Sequence, residues 1–237
     1  MKQFILSIIL LGITGFPWDG IYSTQYTFAP TACAPTATKT VLILGNSITY
    51  HPPHGDWQGD WGMAASDASH DYVHLLGQRL ADNLCATVEV TAAAVWLYEW
   101  YYPTFDIALL DPFRHPDLLI VRLGDNVPED DRIDSFHENI RSMIAYVGAD
   151  ETVTTSTYYP RPIVSNSLDA LPFVYVDIAH LWDMPETHAG AANATIPQMI
   201  GDHPGDLGMA MIADALFVPS FGALGGTVVY LPIMPAS

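Results

Sequence analysis

The segment TVLILGNSIT, residues 40–49, contains four consecutive apolar residues, ends this run at Gly45 and then becomes polar. A short apolar run that stops at a glycine is typical of a strand buried on both faces of a parallel sheet. Ser47 follows this predicted strand after only one intervening residue. A serine there is either a turn residue or a nucleophile held at the end of a strand, and the rest of the chain must distinguish the two.

Strand-like and helix-like patterns alternate along the rest of the chain. Strands are predicted at 40–45, 86–90, 117–124, 152–158 and 173–178, and helices at 71–84, 104–113, 131–148 and 205–216. This alternation predicts the α/β class, as a three-layer α/β/α sandwich with a mainly parallel sheet. Ligands of such open sheets bind beyond the carboxyl ends of the strands.

The two ends of the chain differ from this pattern. Residues 1–16 combine one lysine with an apolar run and are predicted to be a signal peptide. Residues 17–39, rich in Pro, Thr and Ala, are predicted to be a linker. The folded domain is predicted over 40–217, followed by a tail over 218–237 to which no role is assigned. This organisation predicts a secreted or periplasmic protein.

The two cysteines, Cys33 and Cys85, leave two alternatives open. In an exported chain they can form a disulfide, and otherwise they are two separate thiols. The chain has no C-x-x-C spacing, the pattern that would indicate a zinc site. His51, His54 and Asp56 have a spacing that matches no defined metal site, so no metal or other cofactor is predicted.

The charge of the chain excludes some partners. Eight Lys and Arg residues stand against 26 Asp and Glu residues, which gives a formal net charge of −18. Such a surface repels phosphate backbones, so we expect no nucleic-acid binding. No apolar run of membrane-spanning length occurs, and no stable membrane insertion is expected once the signal peptide is removed.

Several polar residues follow the predicted strands and share one rim of the sheet. Ser47 follows the first strand, the segment Thr91–Leu97 follows the second, and Asn126 follows the third. His203, just before the last helix, can return over the same rim. A serine becomes a nucleophile when a base such as imidazole takes its proton, and an Asn amide with backbone N–H groups can hold an oxyanion.

Four segments resemble the GDSL/SGNH hydrolases. GNSIT (45–49), GDN (124–126) and HPGDLGMAMIADAL (203–216) are similar to their blocks I, III and V, and GDWGMAASDASHDYVHLL (59–76) resembles bacterial members with a GNSIT serine motif. The resemblance covers roughly residues 40–216. It implies a flavodoxin-like SGNH hydrolase fold and hydrolysis of an ester without a cofactor, often of an acyl group on a sugar.

The resemblance also implies roles for individual residues. Ser47 is then the nucleophile, His203 the base, and Asn126 an oxyanion donor together with the N–H of Ser47. The glycine of block II is absent from TAAAVWLYEW (91–100), so a residue in 94–97, with Leu97 as the named candidate, has to supply the remaining N–H.

Block V also departs from the family, because Ile200 occupies the position three residues before His203 where an Asp is usual. A backbone carbonyl near 200–201, Asp202 or Asp206 can orient the histidine instead. The loop after the serine is predicted to form the wall of the substrate pocket. That wall is expected to contain His51, His54 and Trp61.

The sequence therefore predicts a serine ester hydrolase that acts on a small-molecule or carbohydrate ester, acetyl or another short acyl group being the expected acid. The alternative is a catalytically silent carbohydrate-binding or surface protein with the same fold. The missing block II glycine and block V aspartate favour this alternative, whereas Ser47, Asn126 and His203 favour the enzyme.

Overall fold

In the computed structural model, residues 20–130, 132–192 and 195–227 are described. The strands are β1 (Tyr22–Phe28), β2 (Thr38–Gly45), β3 (Thr87–Ala94), β4 (Leu118–Val121), β5 (Glu151–Thr155) and β6 (Val174–Val176). The helices are α1 (Tyr72–Leu84), α2 (Trp96–Tyr101), α3 (Phe136–Val147), α4 (Pro162–Asp169), α5 (Ala189–Ala192), α6 (Gln198–Gly201) and α7 (Asp206–Ala223). Five short 3₁₀ helices span 68–70, 107–113, 133–135, 179–183 and 185–187.

The six strands form one sheet in the order β1-β3-β2-β4-β5-β6. All neighbours are parallel except β1, which pairs antiparallel with β3 at the edge. The five parallel strands, taken alone, follow the 2-1-3-4-5 order of flavodoxin-like sheets. The predicted fold class is therefore confirmed, with helices covering both faces of the sheet.

The apolar run of β2 is explained by burial on both sides. Val41 and Ile43 pack in one core with residues of α1 and α7, whereas Leu42 and Leu44 pack in a second core with residues of α3. Because successive side chains of a strand point to opposite faces, a strand covered on both faces needs apolar residues at every position.

The prediction of a linker over 17–39 was wrong for the residues that form β1. YSTQYTF pairs along its whole length with β3, from Tyr22 opposite Ala94 to Phe28 opposite Val88. Polar residues between the aromatic ones obscure the strand, but an edge strand is only half buried and tolerates them. The predicted signal peptide over 1–16 lies outside the described residues.

The last helix was also predicted too short. It continues past Leu216 to Ala223 with Pro219 inside it, so part of the predicted tail belongs to the folded domain. Leu216 and Ser220 are buried at a helical spacing and continue the packed face, as does Leu224 directly after the helix. This burial outweighs the backbone hydrogen bond that a proline removes. Residues 228–237 lie outside the described part.

By length and composition α7 is also apolar enough to cross a membrane. It is one helix, and the core helix of a soluble protein passes the same test. Its Met209, Ile212 and Leu216 side chains are buried in the core that covers one face of the sheet.

Cys33 and Cys85 form a disulfide across a sequence separation of 52 residues, which settles the alternative that the sequence left open. The bond ties the segment after β1 to the end of α1, and the loop it closes contains β2 and Ser47. Replacing both cysteines by serine is expected to lower the free energy of unfolding by roughly 2–4 kcal/mol, since a long closed loop restricts the unfolded chain. Urea unfolding of the two proteins under non-reducing conditions measures this. Coincident midpoints would contradict the stabilising role.

Candidate active site

Ser47 and His203 lie in direct contact beyond the carboxyl ends of the strands. Ser47 Oγ is 2.8 Å from His203 Nε2, although the residues are 156 positions apart in the chain. The other ring nitrogen, Nδ1, lies 2.9 Å from the carbonyl oxygen of Met199. Because a carbonyl can only accept, Nδ1 carries the proton, and Nε2 is left to accept from the hydroxyl of Ser47.

The turn after β2 presents Ser47 and needs a glycine before it. A Cβ atom on Gly45 would come within 1.8 Å of the hydroxyl oxygen of Thr49, which itself bonds to Tyr72. The amides of Thr49 and Tyr50 both donate to the carbonyl of Asn46, which closes the turn. The N–H of Ser47 has no acceptor among the described residues and can donate to a substrate atom.

His203 is held by the segment between α6 and α7. Its amide donates to the carbonyl of Ile200, and its own carbonyl accepts from Ala189. The Tyr159 hydroxyl lies 3.1 Å from Nδ1 and its ring packs edge-on against the imidazole. Burial lowers the pKa of His203 to about 4, so the imidazole is neutral at pH 7.

Neither carboxylate that the sequence suggested as an orienter contacts the ring of His203. Asp206 accepts from the amide and the hydroxyl of Ser66 instead. Asp202 precedes His203 directly, and a residue rarely reaches the ring of its neighbour. The group that does orient the ring is a backbone carbonyl, that of Met199, close to the predicted 200–201.

Asn126 is positioned by a carboxylate that sequence reasoning missed. Its side-chain amide donates to Glu99 Oε2 at 2.6 Å. Oε1 of the same carboxylate accepts from the backbone N–H of Gly124 and from the side-chain amide of Asn46. A carboxylate only accepts, so the nitrogen of Asn126 must face Glu99, and its second N–H remains available. Gly124 has a positive φ of 124° and no room for a Cβ, which explains the glycine.

A buried ion pair between Arg122 and Asp125 braces the same network. Asp125 accepts from Arg122, from the side chain of Asn46 and from the amides of Tyr158 and Tyr159. Burial alone would raise the pKa of Asp125, but Arg122 and these donors hold it below its usual value. Burial, followed by the charge of Asp125, raises the pKa of Glu99.

Residues 94–97 run from the end of β3 into the start of α2, and none of them lines the cleft. The N–H of Val95 donates to the carbonyl of Gly45 and is already used. The amides of Trp96 and Leu97 open the helix, where the first N–H groups lack intrahelical acceptors. Leu97 as an oxyanion donor therefore stays a prediction.

A cleft of about 760 Å³ surrounds the serine and is large enough for a small ligand. His51 and His54 line it as expected, but Trp57 takes the place predicted for Trp61. Trp61 packs edge-on against Trp57 and donates to the carbonyl of Ala65, which supports the loop. The remaining lining residues include Ser47, Asp56, Met63, Asn126, Tyr159, Arg161, Met199, Asp202 and His203. No cluster of three potential metal ligands occurs in the described residues.

The sequence matches no protein-family model and no curated protein. Solved structures, in contrast, are similar in fold. A two-domain esterase active on acetylated mannans, crystallised with mannopentaose, has a TM-score of 0.51 at 13% identity, covering 84% of this chain and 53% of the esterase. This chain thus corresponds to about half of that protein.

Two further structures are similar at lower scores. A lipase/acylhydrolase from Enterococcus faecalis has a TM-score of 0.48 at 16% identity and covers 81% of this chain and 100% of its own. A family two carbohydrate esterase from Cellvibrio japonicus has a TM-score of 0.44 at 16% identity, with 82% and 63% covered. At these identities the likeness concerns the fold, so function has to be argued from the site.

Proposed function

We propose that this protein is a serine esterase that hydrolyses carboxylic esters, with acetyl or another short acyl group as the acid. The contact of Ser47 Oγ with the unprotonated Nε2 of His203 carries the proposal. A hydroxyl hydrogen-bonded to a neutral imidazole, which is itself oriented by a third group, is the arrangement that activates a serine nucleophile.

The proposed reaction has two steps. Ser47 Oγ attacks the ester carbonyl carbon while its proton moves to His203 Nε2, and the carbonyl oxygen becomes an oxyanion held by the N–H of Ser47 and the free N–H of Asn126. The imidazolium then returns the proton to the leaving alcohol, and an acyl-serine remains. Water, deprotonated by His203, releases the acid and restores Ser47.

The alcohol is proposed to be a carbohydrate. An esterase of the same fold acts on acetylated mannans. The cleft beside Ser47 has the volume of a small-ligand site and is lined by His51, His54 and Trp57, whose rings and polar atoms suit a sugar. Export from the cell is also proposed, on the basis of the lysine and the apolar run in residues 1–16.

The most direct test is labelling with an alkyl fluorophosphonate. The reagent should form a bond between phosphorus and Ser47 Oγ, with the hydroxyl proton and fluoride leaving as HF, so that the peptide containing Ser47 gains the mass of the phosphonyl group. Chelation with EDTA should not change the labelling rate. Absence of label on intact, folded protein would favour the silent carbohydrate-binding alternative, and inhibition by EDTA would instead indicate a metal-dependent centre.

Glu99 is expected to act through Asn126. Glu99→Gln keeps the shape of the side chain but replaces one of its two acceptor oxygens by an NH₂ donor. If the NH₂ group replaces Oε2, the side chain of Asn126 must turn; if it replaces Oε1, Gly124 and Asn46 lose their acceptor. We expect kcat to fall about 10–100-fold with little change in KM, because an oxyanion donor acts mainly in the transition state. Steady-state kinetics on p-nitrophenyl acetate measures this.

The control is the double variant. Asn126→Ala alone should lower kcat by about 10²–10³-fold. If Glu99 works by positioning Asn126, Glu99→Gln should add almost nothing in the Asn126→Ala background. Losses that multiply would show that Glu99 acts independently of Asn126.

A further inference from the structure

Arg161 is the one arginine among the residues that line the cleft, and among the described residues it has no carboxylate partner. Four of the six arginines form ion pairs with carboxylates: Arg79 with Asp214, Arg122 with Asp125, Arg132 with Asp130 and Arg141 with Glu138. A fifth, Arg114, packs over the ring of Tyr146 and donates to its carbonyl. No described carboxylate lies within ion-pair distance of Arg161.

The guanidinium of Arg161 is anchored by one nitrogen only. Its Nε donates to the carbonyl of Asp125 at 3.2 Å, directly beside Asn126, and the side chain is partly buried. The two terminal nitrogens have no acceptor among the described residues. Arg161 directly precedes α4, so its backbone is held at the rim of the cleft that contains Ser47.

In a chain with 26 acidic residues, a partly buried arginine without a carboxylate calls for an explanation. Removing a guanidinium from water is costly unless an anion or several acceptors replace the water. The two terminal nitrogens form a planar fork that fits the two oxygens of a carboxylate. We propose that Arg161 binds a carboxylate of the substrate, so that the preferred ester is carried by an acidic sugar such as an acetylated uronate. This inference rests on the proposed esterase function.

The other charges of the cleft determine where such a carboxylate can lie. The charge of Asp125 is offset by its ion pair with Arg122. Asp56 and Asp202 also line the cleft and repel an anion from their own walls. The substrate carboxylate is therefore directed to the wall formed by Arg161, which orients the ester beside Ser47 and Asn126.

The test uses two polymers that differ only at the carboxylate. O-acetylated polygalacturonate is compared with the carboxyl-reduced polymer acetylated to the same degree, and acetate release gives kcat/KM for each. The assays are run at about 0.15 M salt, where the screening length is about 8 Å, so that distant charges of the protein contribute little repulsion. We expect the wild type to prefer the carboxylate polymer about 10–100-fold, as befits a charge-assisted hydrogen-bonded pair.

Arg161→Gln should abolish this preference, while Arg161→Lys should retain only part of it because lysine lacks the fork. Arg141→Gln, which removes an exposed arginine paired with Glu138, is the matched control and should keep the preference of the wild type. A wild type without preference, or a preference that survives Arg161→Gln, would overturn the inference.

Hydrolysis of p-nitrophenyl acetate and binding measurements distinguish a failure of the proposed esterase function from a failure of the Arg161 proposal. If the wild type hydrolyses no ester, calorimetry with unacetylated polygalacturonate and its carboxyl-reduced form still tests Arg161. Binding of the acidic polymer that Arg161→Gln removes would support the carboxylate site. Equal binding of the two polymers would refute it.

Discussion

Replacing Ser47 by alanine is expected to lower kcat on p-nitrophenyl acetate by at least about 10³-fold. The alanine variant has no nucleophile at the cleft, whereas the N–H of residue 47 and the Asn126 amide remain. A centre without its nucleophile retains only the small acceleration that oxyanion donors and binding provide. The initial rate of p-nitrophenol release, with and without EDTA and at low and high salt, measures the loss.

The control for this substitution is Ser142→Ala. Ser142 lies on the exposed surface of α3, where its hydroxyl donates to the carbonyl of Glu138 one turn earlier. This variant should keep full activity, and both variants should unfold at nearly the temperature of the wild type. Equal rates for wild type and Ser47→Ala would contradict the role of Ser47 as nucleophile and favour the silent carbohydrate-binding alternative.

The fold could be predicted from the sequence because its central strands leave a strong signal. Buried parallel strands such as β2 and β4 are continuous apolar runs, and α3 places Phe136, Ile140 and Met143 at helical spacing. The edge strand β1 and the six-residue helix α2 were missed. Each buries only one or two of its residues, so their patterns are mixed with polar or exposed aromatic positions.

The contact between Ser47 and His203 was predicted from motif order, and the structure places the two side chains together. A backbone carbonyl near 200–201 was one of the alternatives for orienting His203, but the sequence could not choose between it and the carboxylates, and it gave no sign of what positions Asn126. Met199 contributes through its backbone carbonyl, which any residue carries, so its sequence identity gives no signal. Glu99 lies in LYEW, where a single carboxylate beside aromatic residues suggests a solvent-exposed position, although it is fully buried. Glu99 could have been found from the sequence by asking which buried acceptor fixes the side-chain amide of Asn126.

The second large effect is expected at His203. His203→Asn removes the base and should lower kcat by at least about 10³-fold, and combining it with Ser47→Ala should cost little more, because the two groups act as a unit. In the wild type the base must be neutral. Since burial lowers the pKa of His203 to about 4, kcat/KM should stay near its plateau at pH 5.5 and fall only as the pH approaches 4.

The same shift predicts how stability depends on pH. The unfolded chain takes up a proton on His203 near pH 6.5, whereas the folded protein does so only near pH 4. The contribution of His203 is thus fully present above pH 6.5 and is lost as the pH falls toward 4, by about 3 kcal/mol over the interval. Urea unfolding of wild type and His203→Asn between pH 4 and 7 isolates this term, because the other titrating groups are shared. The wild type should lose more free energy of unfolding than the variant on acidification. Parallel curves, or a kcat/KM limb near pH 6.5, would show that His203 titrates as an ordinary exposed histidine and is not the buried neutral base.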